Sequence, residues 1–263
     1  MPASIAEDLL TIARGAAGAG ALILDASVGA HISVTAKSEL GDIVTDVDRR
    51  AEQTIRNYIG ARRPDDAITG EEYGATGSDA AAYRWSIDPL DGTSNFVTGI
   101  PYFGSSVAVQ EVATGRWVAG VVNAPVLRQE YFAQADCGAW LVSRGSTVQL
   151  TGADPDADTV LFGTGFSYSR EMRARQFADL PLYMENFTDV RSVGSAALGL
   201  CMAADGSTSA FVETDLYEFD WAAGALIADE AGLTVIRPEG HRGGIWAYPP
   251  HIPLIVPETD RPS

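Results

Sequence analysis

Cysteine, histidine and basic side chains are all scarce in this 263-residue chain, and each shortage removes a class of function. Two cysteines, Cys137 and Cys201, cannot build a disulfide scaffold or a cysteine zinc site, and their sparseness fits a reducing cytoplasm. Three histidines, at 31, 241 and 251, are too scattered for a metal motif and read as surface or packing residues. Lys and Arg number 18 against 35 Asp and Glu, a formal charge of −17. Phosphate backbones and anionic lipid repel such a chain, so neither nucleic acid nor a membrane surface is an expected partner. The apolar stretch 15–24 is bounded by Arg14 and Asp25 and is too short to span a bilayer. Residues 1–8 lack the basic region of a secretory signal, so a soluble cytoplasmic protein is expected. Gly-x-Ser-x-Gly is absent, as is the glycine-rich loop ending in Gly-Lys-Ser/Thr. An α/β-hydrolase and a P-loop nucleotidase therefore lack support.

What is present is an ordinary globular composition, 46% apolar and 20% charged, in a chain long enough for one large domain or two joined lobes. Apolar residues 5, 9, 12, 16, 19 and 23 recur every three or four positions and predict a helix over 4–28. Its glycines at 15, 18 and 20 suit close packing against a neighbouring helix. A second helix is predicted over 46–62, with Val47, Ala51, Ile55 and Ile59 on one face and Pro64 beyond its end. Strands follow near 67–69, 83–87, 104–112, 116–123, 129–135 and 139–143. The second half alternates strands near 159–163, 188–192, 209–213, 233–236 and 252–256 with helices near 169–179, 195–204 and 220–231. A helix pair on a mostly antiparallel sheet over 1–150, then an α/β lobe over 151–263, is the expected organisation, with the charged segment 152–158 between them.

The segment Asp88-Pro89-Leu90-Asp91-Gly92-Thr93-Ser94-Asn95-Phe96 carries the strongest chemical signal. Pro89 keeps Asp88 extended, so no helix starts there. Two carboxylates and the Leu90 carbonyl can then meet one hard cation, while the Gly92 and Thr93 N–H groups face an anion. A structural turn remains the alternative. A calcium loop does not fit, because Gly99 stands at the twelfth position, where glutamate is required. Glu71 and Glu72 follow a short strand; they reach the same cation if that strand neighbours 83–87, and are otherwise two exposed acids. Asp220 opens a helix and reads either as its N-cap or as a further ligand. Asp48 reads either as a first-turn acid favoured by the helix dipole or as an acceptor for the Thr93 proton.

Taken in order, Val44-Thr45-x-x-Asp48, Gly70-Glu71-Glu72, Asp88 to Phe96, Arg191-Ser192-Val193-Gly194-Ser195-Ala196-Ala197 and Asp220-Trp221-Ala222-Ala223-Gly224 resemble the inositol monophosphatase family of magnesium-dependent, lithium-sensitive phosphatases. The resemblance implies an α-β-α-β-α layered fold, usually a homodimer, acting on a small-molecule phosphate monoester. It implies two to three Mg²⁺ ions: the first on Glu71, Asp88 and the Leu90 carbonyl, the second on Asp88, Asp91 and Asp220, a third near Glu71. Thr93, backed by Asp48, would orient the attacking water, and Gly92 and Thr93 would bind phosphate. Gly194, Ser195, Ala196 and Glu213, with Asp91 and Asp220, would meet the alcohol part of the substrate.

Two departures from the family pattern stand out: Phe219 where tryptophan is common, and a short Pro-rich C-terminus where a final helix is usual. Asp46-Val47-Asp48 mimics the Asp-x-Asp of haloacid-dehalogenase-type phosphatases, but Arg50 stands where Thr or Val is usual. A non-enzymatic sensor of Mg²⁺ and sugar phosphate is disfavoured because every expected ligand is present. Among family substrates, inositol 1-phosphate is expected first. An ionised Glu213 would accept hydrogen bonds from a vicinal diol. No cluster of Lys or Arg stands near for the second phosphate of fructose 1,6-bisphosphate or 3′-phosphoadenosine 5′-phosphate. Histidinol phosphate, with its cationic amine, is the runner-up.

Overall fold

The computed structural model describes residues 5–30, 34–36, 43–78 and 80–253. The two N-terminal periodicities become α1 (Ile5–Ser27) and α2 (Asp46–Gly60). A two-stranded ribbon, β1 (Val34–Ala36) with β2 (Ile43–Thr45), leads into α2. Thr45 caps α2 by accepting the N–H groups of Val47 at 3.1 Å and Asp48 at 3.3 Å, while Asp48 accepts the Thr45 N–H at 2.9 Å. Thr-x-x-Asp supplies both halves of this reciprocal cap. α1 buries a line of small residues, Ala13, Ala16, Ala17 and Gly20, between Leu9 and Leu24. Ile5, by contrast, is exposed and Ala19 and Ile23 are only half-buried, so the expected stripe is shifted. Close approach explains the shift. A Cβ on Gly15 would lie 2.0 Å from the Tyr58 hydroxyl of α2, and one on Gly20 would lie 2.6 Å from Ser105 Oγ; Gly18 meets nothing. At 23 residues, with a mean hydropathy of 1.4 over its most apolar window, α1 is long and apolar enough to cross a bilayer, which the run 15–24 did not suggest. Leu9, Ala13, Ala16 and Ala17 pack in the core, while Ile5 and Leu22 are exposed.

Eight strands form the first sheet: β3 (Ala67–Gly70), β4 (Gly74–Thr76), β5 (Tyr83–Asp91), β6 (Gly104–Glu111), β7 (Arg116–Ala124), β8 (Gln129–Gln134), β9 (Ala139–Ser143) and β10 (Ser146–Gln149). Their order is β10-β9-β8-β7-β6-β5-β3-β4, antiparallel except for β3 beside β5. The segment 152–158 holds neither helix nor strand. Beyond it, β11 (Leu161–Thr164), β12 (Asp189–Ser192), β13 (Ala210–Tyr217), β14 (Thr234–Ile236) and β15 (Arg242–Tyr248) form a five-stranded sheet in the order β12-β11-β13-β15-β14. The remaining helices are α3 (Thr93–Thr98), α4 (Arg170–Tyr183), α5 (Ala196–Asp205) and α6 (Glu218–Glu230).

Three apolar cores separate the layers. Leu9, Ile55 and Ile59 of α1 and α2 pack on Trp85, Ile87, Val107 and Val121 of the first sheet. Its other face meets the Ala- and Leu-rich α5 and α6, which also pack on Phe211 and Ile245 of the second sheet. Tyr183 of α4 and Phe187 pack on the outer face of that sheet with Phe162 and Trp246. The chain is therefore a layered α-β-α-β-α sandwich. Of the strand expected over 252–256, Ile252 instead closes a turn on the Pro249 carbonyl at 3.1 Å and Pro253 is not in a strand; 254–256 lie outside the described residues. The last described strand is β15, which begins Arg242-Gly243-Gly244.

Candidate active site

β5 runs past the expected end at Ile87. Its register with β6 is regular to Asp88 opposite Ser106 and resumes at Asp91 opposite Gly104, so β5 holds one extra residue. Pro89, with no N–H to offer a ladder, sits in this irregularity. Gly92 follows at φ 96, and a Cβ there would lie 3.0 Å from the Tyr102 carbonyl oxygen, so only glycine makes the turn into α3. Asn95 donates to the Tyr102 and Val193 carbonyls, both at 2.7 Å, and so ties this turn to the Gly194 loop. Neither its role nor its partners were anticipated.

Thr93 stands at the start of α3. Its hydroxyl donates to Asp48 Oδ1 at 2.9 Å, with the Leu90 carbonyl 3.0 Å from the same oxygen. Asp48 is fully buried, and burial raises its carboxyl above the ordinary value despite bonds from Thr45 and Thr93. The two alternatives for Asp48 coexist: one oxygen serves the helix cap and the other Thr93. The Leu90 side chain is buried among Leu24, Val47, Phe96 and Phe103, which fixes its carbonyl from below.

Asp88 is 2% exposed and accepts one hydrogen bond, from the Leu90 N–H at 2.9 Å. Burial pushes its carboxyl well above the usual range, and the charges of Glu71, Asp91 and Asp220 push it further. Asp91 reaches the start of α5, accepting Ser195 Oγ at 2.6 Å and the N–H groups of Ala197 at 2.7 Å and Ala196 at 3.3 Å. Burial raises Asp91 to about 6 against the pull of those donors. α6 begins at Glu218, so Asp220 lies inside its first turn and accepts the Tyr217 N–H at 2.7 Å rather than acting as the N-cap. Burial, then Asp91 and Glu71, raise Asp220 well above its ordinary value. Phe219 stacks on Tyr217 with ring centroids 5.4 Å apart, so an aromatic pair is kept at this departure.

The arrangement joins Glu71, Asp88, Asp91 and Asp220 electrostatically without preassembling a cage. Among the described residues, no three His, Cys, Asp or Glu groups are gathered closely enough to hold an ion as they stand. Backbone N–H groups hold Asp220 at Tyr217 and Asp91 at the start of α5. The donor set nevertheless fits a hard divalent cation: it is all oxygen, and its anions raise one another's affinity for positive charge. The expected alcohol-contact residues divide. Gly194 is exposed at φ 81, while Ser195 and Ala196 are buried, with the Ser195 hydroxyl turned onto Asp91. Glu213 lies across Gly165, where a Cβ would sit 2.1 Å from its Oε2. Burial, then Asp91 and Asp215, raise Glu213 to about 8.

Comparison with known proteins identifies the family and the fold. Residues 6–260 match the inositol monophosphatase family. The chain is 42% identical over 230 residues to an inositol-1-monophosphatase of Mycobacterium leprae, covering 86% of this chain and 74% of that one. It is 38% identical over 236 residues to a Nus factor SuhB of Pseudomonas aeruginosa, covering 86% and 84%. Among solved structures, the extragenic suppressor protein suhB of Bartonella henselae superposes with a TM-score of 0.84 at 29% identity, over 93% of this chain and 95% of that one. Mycobacterium tuberculosis SuhB superposes at 0.76 and 33% identity, over 92% and 91%.

Proposed function

This chain belongs to the inositol monophosphatase family of phosphatases, and on that premise we propose that it is a Mg²⁺-dependent phosphomonoesterase whose preferred substrate is inositol 1-phosphate. The observation that carries the reading is the Thr93 hydroxyl held by buried Asp48 beside a set of carboxyls that raise one another's pKa. Glu71, Asp88, Asp91, Asp220 and the Leu90 carbonyl are the proposed ligands of two to three ions. Bound there, the ions would polarise the phosphate oxygens and offset the charge that develops during displacement.

The chain's own groups do the rest. Thr93 donates to Asp48, which leaves its oxygen lone pairs to accept from the attacking water and aim it at phosphorus. Asp48, less acidic than an exposed aspartate, is poised to take up a proton relayed through that hydroxyl. The Gly92 and Thr93 N–H groups hold phosphate, and Glu213 and Gly194 face the alcohol. Asp91 has a double part, since it also fastens the start of α5 to the bulge of β5. The expected homodimer in the cytoplasm belongs to the same proposal.

Phosphate release in Mg²⁺ from inositol 1-phosphate, histidinol phosphate, fructose 1,6-bisphosphate and 3′-phosphoadenosine 5′-phosphate tests the substrate. The highest kcat/KM is expected for inositol 1-phosphate. A tenfold preference for either bisphosphate or for histidinol phosphate would reject the substrate while leaving the reaction class intact.

A further inference from the structure

α2 carries three buried charged residues four apart, Asp48, Glu52 and Arg56, exposed by 0%, 0% and 9%. They form a second stripe beside the apolar one at Val47, Ala51, Ile55 and Ile59. Asp48, at the first turn, holds Thr93. One turn on, Glu52 faces the tight connection between β3 and β4, which carries Glu71. Its Oε2 accepts the Glu72 N–H at 2.7 Å, and its Oε1 accepts the Tyr73 N–H at 3.2 Å and Arg56 Nε at 2.7 Å. Arg56 continues to Thr76 Oγ1 at 2.9 Å and to the Gly74 carbonyl. The connection is thus fastened at residues 72 and 73, and β4 beyond it at 74 and 76. The fit is tight: a Cβ on Gly70 would sit 2.3 Å from Glu52 Oε1.

Stability alone does not call for such a pair. Buried ion pairs are often matched or bettered by apolar residues of similar size. What apolar residues cannot do is accept two consecutive backbone N–H groups and hold a turn in one conformation. We propose that Glu52 and Arg56 are a positioning pair that fixes the Glu71 carboxylate relative to the Asp48–Thr93 pair, so that one helix sets the spacing between the metal ligand and the water-orienting hydroxyl. The inference rests on the reading of Glu71 as a metal ligand.

Mg²⁺ binding to the full-length protein, measured by calorimetry and again as the half-saturating Mg²⁺ for phosphate release, tests it. Glu52→Gln puts an amide N–H where an acceptor is needed. It is expected to raise the half-saturating Mg²⁺ about tenfold or more, the usual effect of losing a group that orients a ligand, with kcat at saturating Mg²⁺ largely retained. Arg56→Lys, which keeps the charge but loses the fork, should move the same value in the same direction by less. Should Glu52→Gln not fold, Arg56→Lys carries the test. Arg63→Gln breaks a different, part-buried pair beside β3, with Asp66, and should lower Tm without changing the Mg²⁺ requirement. An unchanged requirement in both Glu52→Gln and Arg56→Lys overturns the inference, as does an equal shift in Arg63→Gln. Glu71→Gln separates the two claims. If it too leaves Mg²⁺ binding unchanged, the ligand assignment itself fails; if it weakens binding while Glu52→Gln does not, only the positioning role fails.

Discussion

Thr93 sits between two acceptors, Asp48 Oδ1 and the Leu90 carbonyl, with no basic side chain among the hydrogen-bond partners of its hydroxyl. That environment leaves the hydroxyl oxygen free to accept from a water while its proton is committed to Asp48, which suits orienting the water. Thr93→Ala should lower kcat by about 10²–10⁴-fold with little change in KM, while Thr93→Ser retains substantial activity, as steady-state kinetics would show. Trapping phosphate on residue 93 would contradict the role. Glu213 gives a pH signature. Raised to about 8, it is protonated when free at neutral pH, whereas diol hydroxyls that donate to it favour the ionised form. The KM for inositol 1-phosphate, relative to a featureless aryl phosphate, should therefore fall as pH rises from about 6 towards 9. In Glu213→Gln the ratio should be flat, and a parallel fall there would remove Glu213 from recognition. Asp88, Asp91 and Thr93 were legible because their spacing is local to one strand and turn. The turning of Ser195 onto Asp91 was not, because it joins residues 104 apart in the chain.

At the scale of elements, the site depends on a strand that breaks its own ladder. The extra residue between Asp88 and Asp91 lets β5 deliver both acids before Gly92 turns the chain into α3. Gly92→Ala forces a left-handed backbone on a residue with a Cβ, at about 1–2 kcal/mol, and also crowds the Tyr102 carbonyl. Urea unfolding should register that loss, and activity should fall further than stability because Thr93 moves with the turn. Wild-type turnover in Gly92→Ala would separate the turn from the chemistry. Periodicity revealed α2 with its capping box, since both signals are local. It misplaced the buried line of α1, where close packing rather than apolar size chooses the face. It also passed over β15, because Gly243-Gly244 reads as a turn; in the sheet Gly243 leaves room for Pro238, 2.6 Å from where a Cβ would be.

Across the whole molecule, element order implied a helix pair on a mostly antiparallel sheet and then an α/β lobe, while the full α-β-α-β-α layering was implied by the family resemblance; the meeting of β5, α5 and α6 around the acids depends on tertiary packing. That meeting stores unfavourable charge. Asp91 near 6 and Glu213 near 8 lie above their ordinary values of 3.8 and 4.5, so the folded state binds more protons than the unfolded one through this window. Stability without metal should therefore decline as pH rises from about 4 to 8. Mg²⁺ bound to the ionised carboxylates, as proposed, should offset the decline. Thermal unfolding in chelator at pH 5 and pH 8, then with Mg²⁺, reads both effects; a rising Tm in chelator would contradict the charge assignment. On the proposed function, buried carboxyls centred on Asp88 hold the metal that makes the site a phosphatase. Phosphate release from inositol 1-phosphate by the wild type and by Asp88→Asn, each with Mg²⁺ and with excess chelator, tests it most directly. Turnover is predicted only for the wild type in Mg²⁺; turnover that survives the chelator, or persists at the wild-type rate in Asp88→Asn, would contradict it.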